Sequence, residues 1–167
     1  MDDYTDAAPE SASDDTARQV ESLLTSGEEA SRTGDAKSAL AAFNKAISLD
    51  PSSDMAWFNR GVLLEAQQDA RGARQAFQIC LDVNPNHAPA TANLCILLER
   101  IGDEVGAYNM AIKALEFYPG HPSIVDVKNR CSGSAASKPI ASMPKVEQIE
   151  AYDQEDVATV VEETGLS

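Results

Sequence analysis

The 167-residue chain predicts an all-α fold: three helical hairpins in tandem, closed by one further helix. Three observations carry this. Pro51, Pro85 and Pro119 recur at a step of 34 residues. Ala39, Ala73 and Ala107 keep that step, as do Ala46, Cys80 and Ala114, and Ile47, Leu81 and Leu115. Phe43 and Phe77 match as well, with Ala111 in the third copy. Within each copy the apolar residues fall at helical spacing on either side of a polar turn. Agreement of several positions at one period marks internal repetition, and a unit of this length with two helical stretches is one hairpin.

The first repeat spans 20–53, the second 54–87 and the third 88–121. In the second, Met55, Phe58 and Val62, with Trp57, Gly61 and Leu64, form the apolar spacing of a first helix. Ala73, Ala76, Phe77, Cys80 and Leu81 do the same for its partner. The intervening turns read "TGD" at 33–35, "QQD" at 67–69 and "IGD" at 101–103. Gly34 and Gly102 suit the left-handed conformation that ends a helix. Asp35, Asp69 and Asp103 then suit the start of the next. Each Pro closes a unit because it cannot continue a helix and restricts the residue before it. Small residues at Gly27, Gly61 and Cys95, opposite Ala39, Ala73 and Ala107, let the two helices of a hairpin approach. After the third repeat, 122–131 reads as a first helix with no partner, a cap on the exposed end of the stack. The array as a whole is expected over 16–131.

Composition narrows the function. Apolar residues make up 43% of the chain, a globular value, and 27 Asp and Glu oppose 13 Lys and Arg for a net charge of −14. Nucleic acid and anionic membrane are disfavoured as partners on that ground. No apolar run is long enough to insert into a membrane. The acidic start lacks the apolar core of a signal peptide. Three Cys without CxxC spacing suit a reducing compartment, so a cytoplasmic address is expected.

The repeated residues resemble the tetratricopeptide repeat family, whose pattern is W-x2-L-G-x2-Y, then A-x3-F, A and P over 34 residues. The second repeat supplies Trp57, Gly61, Leu64, Ala73, Phe77, Cys80 and Pro85, and the first Leu23, Gly27, Ala30, Ala39, Phe43, Ala46 and Pro51. The third is a weaker match through Thr91, Leu94, Cys95, Leu98, Ala107, Ala111, Ala114 and Pro119. Arg60 and Ser26 depart from the family's Leu, which implies looser contacts there. The resemblance covers residues 20 to about 131. It implies a right-handed α-solenoid with no chemistry of its own, a non-enzyme that takes no cofactor and holds a peptide or helix of a protein partner in a concave groove lined by the first helices.

By the same resemblance the groove positions are Leu24, Glu28 and Arg32 in the first repeat, Met55, Phe58, Asn59, Val62 and Ala66 in the second, and Asn93, Ile96, Glu99 and Arg100 in the third. Asn59 and Asn93 share one repeat position. An amide donates and accepts at once, so each suits the backbone of an extended peptide, over an apolar floor of Phe58, Val62 and Ile96. The plainer alternative is two solvated amides on a helix surface. Arg32 and Arg100 would take an acidic side chain or simply stay solvated. Co-chaperone members of the family hold a C-terminal carboxylate with Lys, Asn, Asn, Lys and Arg; the corresponding residues are Leu24, Glu28, Asn59, Pro89 and Asn93. Only Asn59 fits, and Glu28 opposes a carboxylate.

No Gly-rich phosphate loop or nucleophile set is present. His87 and His121 lie in the turns between repeats, without further ligands at metal spacing, and read as solvated. Cys80 and Cys95 occupy packing positions. Cys131, at the end of the cap, is open to exposure.

Residues 1–15 are acidic and read as a disordered tail; residues 1–19 hold six acids against one Arg. Residues 132–145 read as a linker. Residues 146–167, with Val146, Ile149, Val157, Val160 and Val161, read either as disordered or as a short amphipathic helix. If that segment docks, it does so on a partner, or in the groove of its own or a neighbouring chain, which would make the protein a self-gated module or a homo-oligomer.

Overall fold

The structure, a computed structural model, describes residues 12–136. Seven helices follow one another among them: α1 (Ala12–Arg32), α2 (Ala36–Leu49), α3 (Asp54–Ala66), α4 (Ala70–Val83), α5 (Ala88–Arg100), α6 (Glu104–Phe117) and α7 (Pro122–Ala136). α1 packs on α2, α3 on α4 and α5 on α6, and each hairpin docks on the next through α2–α3 and α4–α5. α7 lies on both α5 and α6. The first helices α1, α3, α5 and α7 therefore succeed one another along one side of the stack, and α2, α4 and α6 along the other.

Each second helix is capped by the Asp after its turn: the carboxylates of Asp35, Asp69 and Asp103 accept from the backbone N–H of Ser38, Gly72 and Gly106. The turns before them need a left-handed residue. Gly34 (φ 85°) and Gly102 (φ 83°) provide it at no steric cost, whereas in the second repeat Gln68 takes φ 65°.

The close approach within a hairpin is made by a different pair from Gly and Ala. A Cβ on Gly27 would stand 2.5 Å from the Phe43 ring, and one on Gly61 2.6 Å from Phe77. Each glycine thus seats a phenylalanine that is itself fully buried. In the third hairpin the same register holds Cys95 and Ala111, both with no exposed surface. One continuous core runs from Leu64 of α3 to Cys131 of α7, while α1, α2 and α3 share two smaller clusters around Ile47 and Phe43.

Two helices are longer than composition suggests. α1 begins at Ala12, inside the acidic stretch 1–15, because Asp14 and Asp15 sit in its first turn, where the helix dipole favours acid, and Arg18 donates to Asp15 at 3.3 Å. α7 continues past Cys131 to Ala136, inside the stretch 132–145. Ser134 bonds Glu104 of α6 there, and Ser132 Oγ donates to the Asn129 carbonyl at 2.8 Å. The rest of the linker and the segment 146–167 lie outside the described residues.

Candidate functional site

Ion pairs and one amide bond join successive first helices. Asn59 Nδ2 of α3 donates to Glu28 Oε1 of α1 at 2.8 Å. Arg100 of α5 meets Glu65 of α3 at 2.9 Å. Arg130 of α7 donates twice to Glu99 of α5, Nε to Oε1 at 2.5 Å and Nη2 to Oε2 at 2.7 Å. These hydrogen bonds pull the Glu99 carboxyl below the ordinary range and raise the Arg130 guanidinium. Because each bond bridges one first helix to the next, all three lie on the face those helices share.

The other charged groove position is satisfied within its own helix: Arg32 forks onto Glu29 at 2.5 and 2.9 Å. Neither Arg32 nor Arg100 is therefore an unpaired cation, as capture of an acidic side chain would prefer. The sequence could not show this for Arg100, since its partner is 35 residues away and is brought close only by packing.

The apolar positions divide. Leu24, Phe58 and Ile96 are half-buried against the core clusters. The Phe58 ring lies 4.7 Å from His87 and 6.0 Å from Phe77, so it braces α3 on its neighbours more than it floors a groove. Met55 and Val62 stand clear at 42% and 40% exposure, and Ala66 is exposed beside them.

The two amides also divide. Asn59 is engaged with Glu28, whereas half-buried Asn93 has no side-chain hydrogen bond among the described residues. The reason is the residue one repeat earlier: Glu28 stands across from Asn59, and Val62 takes the same register across from Asn93. α1 packs on α3 and α5 on α7, but α3 and α5 make few close backbone approaches.

The structure corrects three readings of the turns and packing. His87 is buried, at 8% exposure, and its Nδ1 accepts from Ala90 N–H at 3.1 Å, capping α5 as Ser53 caps α3. The 34-residue step from Ser53 to His87 is the signal that identifies this role. Cys131 is likewise buried, four residues along α7 from Val127 and seven from Ile124, which puts all three on one apolar face. Burial pushes the Cys80 and Cys95 thiols up to about 12 and raises Cys131 as well. Arg60 is not loosely held: its guanidinium lies over Trp57 at 5.6 Å from the ring centroid, and Trp57 Nε1 donates to the Pro51 carbonyl at 2.9 Å.

Among the described residues no helix is long and apolar enough to cross a membrane. The family model described as the CABIN1 N-terminal domain matches residues 14–136. No curated protein matches by sequence. Among solved structures, the TPR domain of Arabidopsis OM64 is similar with a TM-score of 0.65 at 15% identity, over 71% of this chain and 98% of that one. The second TPR domain of human RPAP3, solved with the HSP70 peptide SGPTIEEVD, gives 0.65 at 16%, over 70% and 98%. The TPR2B domain of yeast Sti1, in complex with an Hsp70 peptide, gives 0.63 at 17%, over 70% and 98%. At these identities the likeness is one of fold. The hairpin stack is the tetratricopeptide repeat fold, and the chain belongs to the CABIN1 N-terminal domain family.

Proposed function

We propose that the protein is a non-catalytic adaptor that holds an extended or helical segment of a protein partner on the face shared by α1, α3 and α5. The observation that carries this is the α3–α5 junction. There exposed Val62 takes, across from Asn93, the register that Glu28 takes across from Asn59, exposed Met55 lies two turns back along α3, and the Asn93 amide has no side-chain partner among the described residues. Apolar side chains with a convergent polar group are the usual makings of a ligand cleft, and an amide can bond a peptide main chain in both directions. The RPAP3 and Sti1 domains, alike in fold, were solved with peptides bound, which supports the reading by analogy. The role of the groove set from Leu24 to Arg100 is part of this proposal, with Val62 and Asn93 at its centre.

A photo-crosslinking residue in place of Val62 tests it in cells, with Ile112, exposed on α6, as the control position. A discrete protein adduct is expected from position 62 and none from 112, and Asn93→Ala is expected to weaken the adduct at 62. No adduct at 62, or equal adducts at both positions, overturns the proposal.

A further inference from the structure

The charges on the shared face say which partner chemistry it suits. Its cations are committed: Arg100 to Glu65, Arg130 to Glu99 and Arg32 to Glu29. Glu28 is different. Asn59 gives it one neutral hydrogen bond, and no cation pairs with it among the described residues. Among the described residues the face therefore carries Glu28 without a cation, and none of its arginines is free beside the apolar opening at Val62. An acidic occupant would bring its charge against Glu28 and would have to displace an arginine from its carboxylate to gain a partner.

We infer that the occupant is an apolar peptide segment bearing a Lys or Arg that pairs with Glu28, with its apolar side chains over Val62 and Met55. This rests on the adaptor reading and names the class of partner. It also disfavours the chain's own C-terminal stretch as occupant, since residues 132–167 hold seven acids against two Lys. Like-charge contact would work against that docking, whatever apolar area it buried.

The probe is a phage-displayed library of random peptides, panned on the full chain at physiological salt, with the strongest sequence then made synthetically. The enriched peptides are expected to combine apolar residues with an excess of Lys and Arg. Glu28→Gln is expected to weaken the synthetic peptide by up to about fivefold, the upper end of the range of an exposed ion pair. Glu116→Gln, which makes the same change of charge at an exposed position on α6, is expected to leave it unchanged. Enriched peptides without a basic excess, or equal effects of the two variants, overturn the inference. So does competition by a synthetic peptide of residues 146–167. Val62→Asn, which removes the apolar contact without adding charge, separates the two claims. If it abolishes binding while Glu28→Gln does nothing, the adaptor reading stands and the charge inference falls. If binding survives Val62→Asn, or no peptide is enriched, both fall.

Discussion

The first two hairpins and the third fill the same space in opposite ways. In the first two a glycine on the first helix admits a buried phenylalanine from the second, Gly27 with Phe43 and Gly61 with Phe77. In the third the same two positions hold the smaller pair Cys95 and Ala111, both fully buried. What the repeat preserves is that the two facing positions are never both large, so the size of either residue is limited by its partner. Close-packed interiors have this property: a methylene added on one side must be removed from the other.

The largest effect expected tests that exchange. Ala111→Phe alone is expected to cost about 3 kcal/mol or more, since nothing opposite Cys95 makes room for the ring. Combined with Cys95→Gly it should recover at least half of that loss, rebuilding the pair of the first two hairpins, with urea denaturation of the double-mutant cycle as the measurement. Simple addition of the two single losses would show that hairpin three has a different backbone spacing. Gly61→Ala is expected to lose about 1–2 kcal/mol, because the strain against Phe77 outweighs a helix-propensity gain of about 1 kcal/mol.

The turns offer a smaller contrast. Gln68 occupies the left-handed position that Gly34 and Gly102 fill. Gln68→Gly is expected to stabilise the chain by about 0.5–1 kcal/mol, read by thermal or urea unfolding, as relief of left-handed strain exceeds the added freedom of the unfolded chain. A loss on this substitution would mean that the turn is held by the Gln side chain.

The smallest effect concerns the cap. The hydrogen bonds from Arg130 hold the Glu99 carboxyl below its ordinary value. A depressed carboxyl contributes stability that is present above its unfolded pKa, about 4.3, and is lost as the pH falls through the folded value. The amide resonances of Val127 and Cys131 should therefore shift on acidification below about pH 4, in a transition that Arg130→Gln removes. A transition unchanged in that variant would assign it to other carboxylates.

Much of the fold was legible in the linear chain. The 34-residue period, the prolines, the apolar spacing and the aspartates after each turn report local events, and helix starts, stops and faces are decided within a few residues. Asp35, Asp69 and Asp103 cap as their position predicts. His87 and Cys131 were harder to read because composition suggests exposure for both, although the repeat register and the Ile124–Val127–Cys131 spacing carried the contrary signal. The candidate site was less legible. Its positions could be numbered from the repeat, but Phe58 turned out to brace the core, and Arg100 and Glu99 found partners 35 and 31 residues away.

The sequence by itself determined that this chain forms helical hairpins in a row, since that outcome rests on periodicity and on short-range capping. Only the tertiary structure decided that, among the described residues, Asn59 is occupied and Asn93 is not, that Glu28 lacks a cation and that α3 and α5 make few close backbone approaches. Those properties belong to pairs of side chains on different helices, and which residues become a pair depends on how one hairpin seats on the next.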